Sequence, residues 1–424
     1  MRFIVEKSQL RGSVDIPGSK SHTVRGVYFA LLAHGDSVIR SPLESRDTLA
    51  ALRAAEAFGA RVRREPGRWT VSGVGEGVLC PTRPIDVLNS GTTLRIGMGV
   101  AALGGQWVVL TGDEQIRRRP AGPPLMQALA NLGAHVFSTR GDGRAPVAVR
   151  GPLLGGMTEI DCPTSQYLTS LLIACPMARR DSEIRVGLLN EKPYVGLTLY
   201  WLDRLGIEYC HKQSTHFFLT GGQSYPTFDR RIPADFSSAA FPLAAAAVTG
   251  STLKLLGLDM EDPQGDKALI GMLEAMGCEV THGIDSISLT GGELRGIEVD
   301  LNDTPDALPA LAVVAAFAQG ETRLLNVPQA RMKEIDRIAG MARELAKLGI
   351  ETEELPDGLI IHGGRPKGAV VKSHGDHRLA MAFAVAGLAT EGPVTVEGAE
   401  AVDVTYPHFV EAMRGVGANI QAGD

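Results

Sequence analysis

Aromatic side chains are scarce in this chain. Phe, Tyr and Trp make up 5% of its 424 residues although 44% of residues are hydrophobic, so the core is built from Ala, Leu and Val, with Gly between them. Cysteines are few and scattered: Cys80, Cys162, Cys175, Cys210 and Cys278 form no CxxC pair and no His/Cys metal spacing. That excludes a disulfide scaffold and a zinc module, and it predicts a reduced compartment. Long apolar runs are missing too. None reaches the roughly 18 residues of a membrane span, and the start, Met1 to Glu6, does not read as a signal peptide. A cytoplasmic protein without a membrane partner is expected. There is no basic excess: the net charge of −6 excludes a general nucleic-acid or membrane surface and leaves room only for a local basic site.

What the chain has instead is an internal repeat. An apolar-Gly-small triplet recurs at Gly59, Gly133, Gly206, Gly277, Gly349 and Gly417, spaced 68 to 74 residues apart. Six such glycines in register define the architecture before any motif is read. The residues before each glycine have helical periodicity. In the fifth copy Ile338, Met341, Leu345 and Leu348 share a face that Arg343 and Lys347 avoid. Glycine then stands where a helix C-terminus favours a left-handed residue. A β pair closed by another glycine follows, as in Trp69–Gly73 and Ile287–Gly291. Upstream lies a first helix that is apolar on most sides, such as 239–248 or 311–318, and so should be buried. Each copy reads strand, helix, strand, helix, strand, strand, with the sixth lacking its final strand. The expectation is an α/β protein of two similar domains, each of three βαβαββ repeats around buried helices. At this length two domains are also the prior.

A second register lies 39 to 43 residues before each repeat glycine, measured from Lys20, Gly91, Ser165, Ser237, Asp306 and His377. Each marks a polar cluster that opens a first helix. Helix capping alone accounts for any one cluster. Two features argue for more: Lys20, Arg25, Arg95, His377 and Arg378 are cations that a cap does not need, and symmetry would turn six helix N-termini towards a common cleft. The ligand expected there is small and strongly anionic. Arg117-Arg118-Arg119-Pro120 fits the same site or is a solvated charge run. Lys333 and Arg337 would share a face if both lie on the second helix of the fifth copy, and Glu334 is either functional or a plain ion-pair partner. Gly18-Ser19-Lys20-Ser21 is not a P-loop, because Ser19 stands where the pattern requires Gly. His374, Asp376 and His377 lack further metal ligands, so no metal is expected.

These residues carry a resemblance along nearly the whole chain. Pro17-Gly18-Ser19-Lys20-Ser21 with Arg25, Asn89-Ser90-Gly91-Thr92 with Arg95, Arg119-Pro120, Ser165-Gln166-Tyr167, Lys192-Pro193-Tyr194, Gln264-Gly265-Asp266, Pro305-Asp306, Lys333-Glu334 with Asp336-Arg337, and Asp376-His377-Arg378 occur in order. The chain resembles the 5-enolpyruvylshikimate-3-phosphate synthase family, also called 3-phosphoshikimate 1-carboxyvinyltransferase. The resemblance implies the enolpyruvyl transferase fold, an inside-out α/β barrel. One domain would comprise residues 1–16 plus 233–424 and the other residues 17–232, with the active site in the cleft between them. It implies transfer of the enolpyruvyl group of phosphoenolpyruvate to the 5-hydroxyl of shikimate 3-phosphate with loss of phosphate. That is a step of chorismate and aromatic amino-acid biosynthesis, by a monomer without cofactor.

The resemblance places Ser21, Arg25, Thr164, Ser165, Gln166, Tyr194, Asp306 and Lys333 around shikimate 3-phosphate. It places Lys20, Gly91, Arg119, Gln166, Glu334, Arg337, His377 and Arg378 around phosphoenolpyruvate. Lys20, Asp306, Glu334 and His377 would be catalytic, with Asp306 the base towards the 5-hydroxyl and Glu334 the acid towards the methylene, Lys20 being its partner or rival. By the same resemblance the herbicide glyphosate would occupy the phosphoenolpyruvate subsite that Gly91 borders.

Four positions depart from the family pattern: Ile96, Glu191, Gln329 and Val404. Glu191 stands where a phosphate-contacting Ser is common. It would repel phosphate if it pointed inward, and it is therefore expected to lie outside the site. Two alternatives remain. A UDP-N-acetylglucosamine enolpyruvyl transferase would need a Cys on the loop near Arg119, and the stretch 113–124 has none. A non-catalytic anion-binding or RNA-end-binding repeat protein would not need Asp306, Lys20 and Glu334.

Overall fold

The repeat is realised in six four-stranded sheets of one topology in a computed structural model that describes residues 1–423. The third copy shows the pattern. Strand Gly156–Cys162 leads in, helix Gln166–Ala174 crosses over, and strand Ser182–Leu189 lies parallel to the first, with Gly156 opposite Ser182. Helix Lys192–Arg204 follows. The hairpin Tyr209–Lys212 and His216–Leu219 then returns antiparallel, with Leu219 opposite Ser182. The six repeat glycines all have positive φ, from 68° to 109°, a conformation that costs a residue with a Cβ dearly. They end the second helix of every copy and aim the chain into the hairpin.

Three strands join copies that are distant in sequence. Arg2–Glu6 lies between Val394–Glu397 and Asn419–Gly423 and completes the sixth sheet, so that copy does not lack a strand. Arg11–Asp15 leads the fourth copy, parallel to Thr252–Leu256. Asp229–Arg231 leads the first, parallel to His34–Arg40.

The chain divides into two compact units, Met1–Ser19 together with the chain from Pro233 on, and Lys20–Ile232. Residues 17–19, expected with the larger middle segment, belong to the first unit because backbone bonds tie them there. The Ser19 N–H donates to Pro233 O at 2.8 Å and the Asp235 N–H to Pro17 O at 2.9 Å.

In each unit the three first helices pack on one another at the centre. In the first unit these are Phe236–Thr249, Leu308–Ala316 and His377–Gly387. Every residue of Leu308–Ala316 is buried. Ala-rich surfaces let such helices approach closely, and burying them is the main stabilising term. In the second unit the helices are Lys20–Leu32, Gly91–Ala101 and Gln166–Ala174. A Cβ at Gly99 would come within 2.6 Å of Ser170 Oγ, which explains the glycine at that crossing. The polar residues of the second register thus stand at the N-terminal ends of three adjacent helices in each unit.

Candidate active site

In the second unit the helix starts gather cations around neutral partners. Arg25 is buried on the Lys20 helix. Its Nε donates to Thr198 Oγ1 at 2.9 Å, and its Nη2 donates to Tyr194 O at 2.9 Å and to Thr169 Oγ1 at 3.3 Å. Its Nη1 donates to Ser21 O at 3.1 Å, in its own helix. None of these partners is an acid, and burial pushes the guanidinium pKa down to about 10. Arg95, also buried, donates to Gln166 Oε1 at 2.7 Å and to Pro120 O at 2.8 Å. Burial lowers its pKa, as does Arg119, while Tyr167 and Glu191 raise it.

Arg119 Nη2 donates to Asn89 Oδ1 at 2.8 Å and Asn89 O at 3.0 Å, beside the helix that begins at Gly91. Lys20 Nζ lies 3.3 Å from Asp47 Oδ2. Asp47 and Glu191 are carboxylates that stand among these four cations. The structure therefore brings together Lys20, Ser21, Arg25, Gly91, Arg119, Thr164, Ser165, Gln166 and Tyr194.

The first unit holds a balanced cluster. Arg337, 1% exposed, is gripped by three carboxylates. Its Nε donates to Asp376 Oδ2 at 2.8 Å, Nη1 to Asp306 Oδ1 at 2.7 Å, and Nη2 to Glu334 Oε2 at 2.7 Å. These contacts hold the Arg337 guanidinium firmly charged despite its burial. Arg378 Nη2 donates to Asp306 Oδ2 at 2.8 Å and Ser237 Oγ at 3.1 Å, so one side chain ties together the starts of all three central helices. Lys333 Nζ lies 3.7 Å from Asp306 Oδ1. His377 is buried as the first residue of its helix.

Asp376 caps that helix, accepting from the N–H groups of Arg378 and Leu379. Burial pushes its carboxyl above the usual carboxylate range. Arg337 pulls it back and Glu334 adds to the rise. The acceptor atoms of Glu334, Asp376 and His377 lie within 4.8 Å of one another, the closest approach to a metal-binding group among the described residues. Arg337 donates to both carboxylates of that trio, so the cationic position is filled by a guanidinium.

Three sequence expectations change. Lys333 and Arg337 do not share a helix face: Pro328–Met332 is a 3-10 turn, Lys333 is extended, and the helix begins at Arg337 behind its cap Asp336. The arginine run splits, since Arg118 pairs with Glu114 on the surface while Arg119 turns to Asn89. Glu191 points inward rather than away. It is 2% exposed, and its Oε2 accepts from Thr164 Oγ1 at 3.0 Å and Ser165 Oγ at 2.9 Å. Capping accounts for Ser90, Asp235 and Asp376 but not for Ser165, which makes no cap bond.

Of the other departures, Ile96 and Val404 are buried packing residues, and Gln329 donates to Asn302 O at 2.8 Å. Asp47, Thr169 and Thr198 join the site without any signal in the sequence. Asp376 and Arg95 were visible in the motifs but not assigned.

The sequence matches the family model described as EPSP synthase (3-phosphoshikimate 1-carboxyvinyltransferase) over residues 4–413. It is 49% identical to the 3-phosphoshikimate 1-carboxyvinyltransferase of Ruminiclostridium cellulolyticum over 98% of this chain and 99% of that protein. It is 51% identical to the protein of the same name from Acetivibrio thermocellus, over 99% of each. A solved structure of EPSP synthase from Acinetobacter baumannii matches all of both chains with a TM-score of 0.83 at 29% identity. The chain belongs to the EPSP synthase (3-phosphoshikimate 1-carboxyvinyltransferase) family.

Proposed function

We propose that this chain joins phosphoenolpyruvate to the 5-hydroxyl of shikimate 3-phosphate and releases phosphate, with the residues named above in the following roles. The observation that carries the reading is the charge contrast between the two clusters. Arg25 and Arg95 are buried cations with neutral hydrogen-bond partners, an arrangement that costs stability unless a ligand anion completes it. Substrates bearing two phosphates and two carboxylates supply those anions. Guanidinium forks match both groups, so Arg25 and Arg119 orient them.

The second cluster balances three cations, Arg337, Arg378 and Lys333, against three acids, Asp306, Glu334 and Asp376. An anion that arrives there adds uncompensated negative charge, which raises the proton affinity of a neighbouring carboxyl. Phosphoenolpyruvate would in this way prepare Glu334 as the acid that protonates C3. Asp306 takes the proton of the 5-hydroxyl as its oxygen attacks C2. In the second half of the reaction C3 returns a proton and the C2–O bond to phosphate breaks. Lys20, Arg378 and His377 stabilise the charge moving onto the departing phosphate. No cysteine is needed. Burial pushes the Cys162 and Cys175 thiols up to about 12, and the loop beside Arg119 contains none, which argues against the UDP-N-acetylglucosamine enolpyruvyl transferase reading.

All the assigned residues lie on one chain, and no helix among the described residues is long and apolar enough to cross a membrane. A cytoplasmic monomer is the form we propose, and light scattering at working concentration tests the monomer. The decisive experiment for function supplies both substrates and follows enolpyruvyl product by mass spectrometry together with phosphate release. Product in equimolar amount with phosphate supports the reading. Phosphate without the enolpyruvyl ether, or neither, overturns it.

A further inference from the structure

Glu191 precedes the helix Lys192–Arg204 in a left-handed backbone conformation, φ 58° and ψ 42°, that is rare outside glycine. Its side chain does not cap that helix. It reaches back to the start of the Gln166 helix, where Oε2 accepts three bonds: from the Ser165 N–H at 3.1 Å, from Ser165 Oγ at 2.9 Å and from Thr164 Oγ1 at 3.0 Å. A backbone N–H and two hydroxyls converging on one oxygen at a helix N-terminus form a cradle for an oxyanion. Arg95 lies close enough for the Glu191 charge to raise its pKa. The carboxylate oxygen therefore has three donors, with a buried guanidinium nearby.

We infer that Glu191 is an internal occupant of the phosphate cradle: its carboxylate holds Thr164 and Ser165, and the 3-phosphate of the substrate binds by displacing it. This rests on the assignment of Thr164 and Ser165 to shikimate 3-phosphate made above. The same donors cannot serve a carboxylate and a phosphate at once, because the two anions would repel at van der Waals distance. The tethered carboxylate competes at an effective concentration on the order of millimolar or more. Weakly bound anions such as inorganic phosphate are thus kept out. A phosphomonoester of nearly two charges and three acceptor oxygens, anchored also through its ring, displaces it. Glu191 is on this account a specificity-determining residue: it sets which anions enter at the expense of affinity for the correct one.

The test compares the full-length protein with E191S and E191Q. Calorimetry gives the Kd of shikimate 3-phosphate and of inorganic phosphate, and steady-state kinetics give KM for both substrates. E191S should bind shikimate 3-phosphate and inorganic phosphate at least 10-fold more tightly, with the phosphoenolpyruvate KM within about 2-fold. E191Q keeps the size and one acceptor but loses the charge, and should gain at least 3-fold. Unchanged or weaker binding of both ligands overturns the inference and leaves Glu191 a structural partner of Ser165 or a direct substrate ligand. If E191S does not fold, E191Q alone decides by the same criterion. S165A separates this failure from that of the functional reading. If S165A leaves the Kd of shikimate 3-phosphate unchanged, the cradle is not the phosphate site at all, whatever Glu191 does.

Discussion

Arg25 and Thr198 meet in the interior of one unit, a guanidinium Nε donating to a hydroxyl at 2.9 Å where an acid would be the ordinary partner. A buried cation answered by neutral groups stabilises a ligand and not the fold. Replacing it should therefore divide the two properties. Thr169 and Thr198 keep each other at 3.1 Å, and Thr198 keeps Tyr194 O at 3.2 Å, so Arg25→Met strands no hydroxyl. We expect thermal unfolding of Arg25→Met at or above the wild-type temperature. We expect kcat/KM for shikimate 3-phosphate to fall by about 10²-fold. A Tm loss of the size seen for a broken buried ion pair would mean that Arg25 is structural.

Asp306 is assigned the proton of the 5-hydroxyl. Its two oxygens are held by Arg337 and Arg378, which fixes the carboxylate at the start of a central helix. Asp306→Ala should lower kcat by about 10²-fold or more, the usual worth of a positioned base. It also removes one of the acids that offset three cations. The phosphoenolpyruvate KM should accordingly stay level or fall, and shikimate-phosphate affinity should drop far less than kcat. A variant that keeps near-full kcat removes Asp306 from the chemistry.

Gly91 opens the helix that carries Arg95. A Cβ there would collide with Arg95 Nη1, and it would stand 3.6 Å from Gln166 Oε1. The guanidinium is pinned by Gln166 and Pro120, so it cannot yield without losing a bond. Gly91→Ala should raise the phosphoenolpyruvate KM by shifting Arg95. Glyphosate, which the family resemblance assigns to the same subsite, is the longer ligand, and its inhibition should weaken further still, because a steric clash falls unequally on ligands of different length. The measurement is the glyphosate inhibition constant divided by the phosphoenolpyruvate KM in both proteins. A ratio that is unchanged or smaller in the variant places Gly91 away from that subsite.

Much of this arrangement is legible in the sequence because it is local. The repeat glycines announce left-handed helix ends, and the apolar first helices announce their burial. Asp235 and Asp376 announce caps by residue type. What could not be read depends on neighbours far along the chain. Thr169 and Thr198 are ordinary helical residues until the fold brings Arg25 between them. Glu191 was expected to turn away because a carboxylate repels phosphate. The donors of Thr164 and Ser165 need an acceptor of their own, and the carboxylate supplies it. The helical spacing of Lys333 and Arg337 was sound arithmetic on a segment that is not helical, since Asp336 caps the helix one residue before Arg337. Strand Arg2–Glu6 completes the sixth sheet, a pairing no periodicity reveals.

Glu344 is an acid at the edge of the apolar face of its helix, and it is fully buried. It accepts from Lys347 Nζ at 2.6 Å, from His374 Nε2 at 2.8 Å and from the Lys372 N–H at 2.9 Å. These bonds hold the segment that leads to Asp376, His377 and Arg378. Burial pushes the Glu344 carboxyl up, but Lys347, His374 and the Lys372 N–H outweigh it, and the net shift is below the ordinary value. A depressed carboxyl stabilises the folded state at every pH above its unfolded pKa, near 4.3. That contribution is lost as pH falls through the lower folded value. Glu344→Gln should therefore cost about 1–3 kcal/mol at pH 7, where the charge-assisted bonds are intact. The gap between wild type and variant should close as pH falls below about 4. Denaturant titrations of both proteins at pH 7, 5 and 3.5 measure it. A gap that stays constant across that range means the carboxylate charge contributes nothing, and a gap that widens reverses the sign argued here.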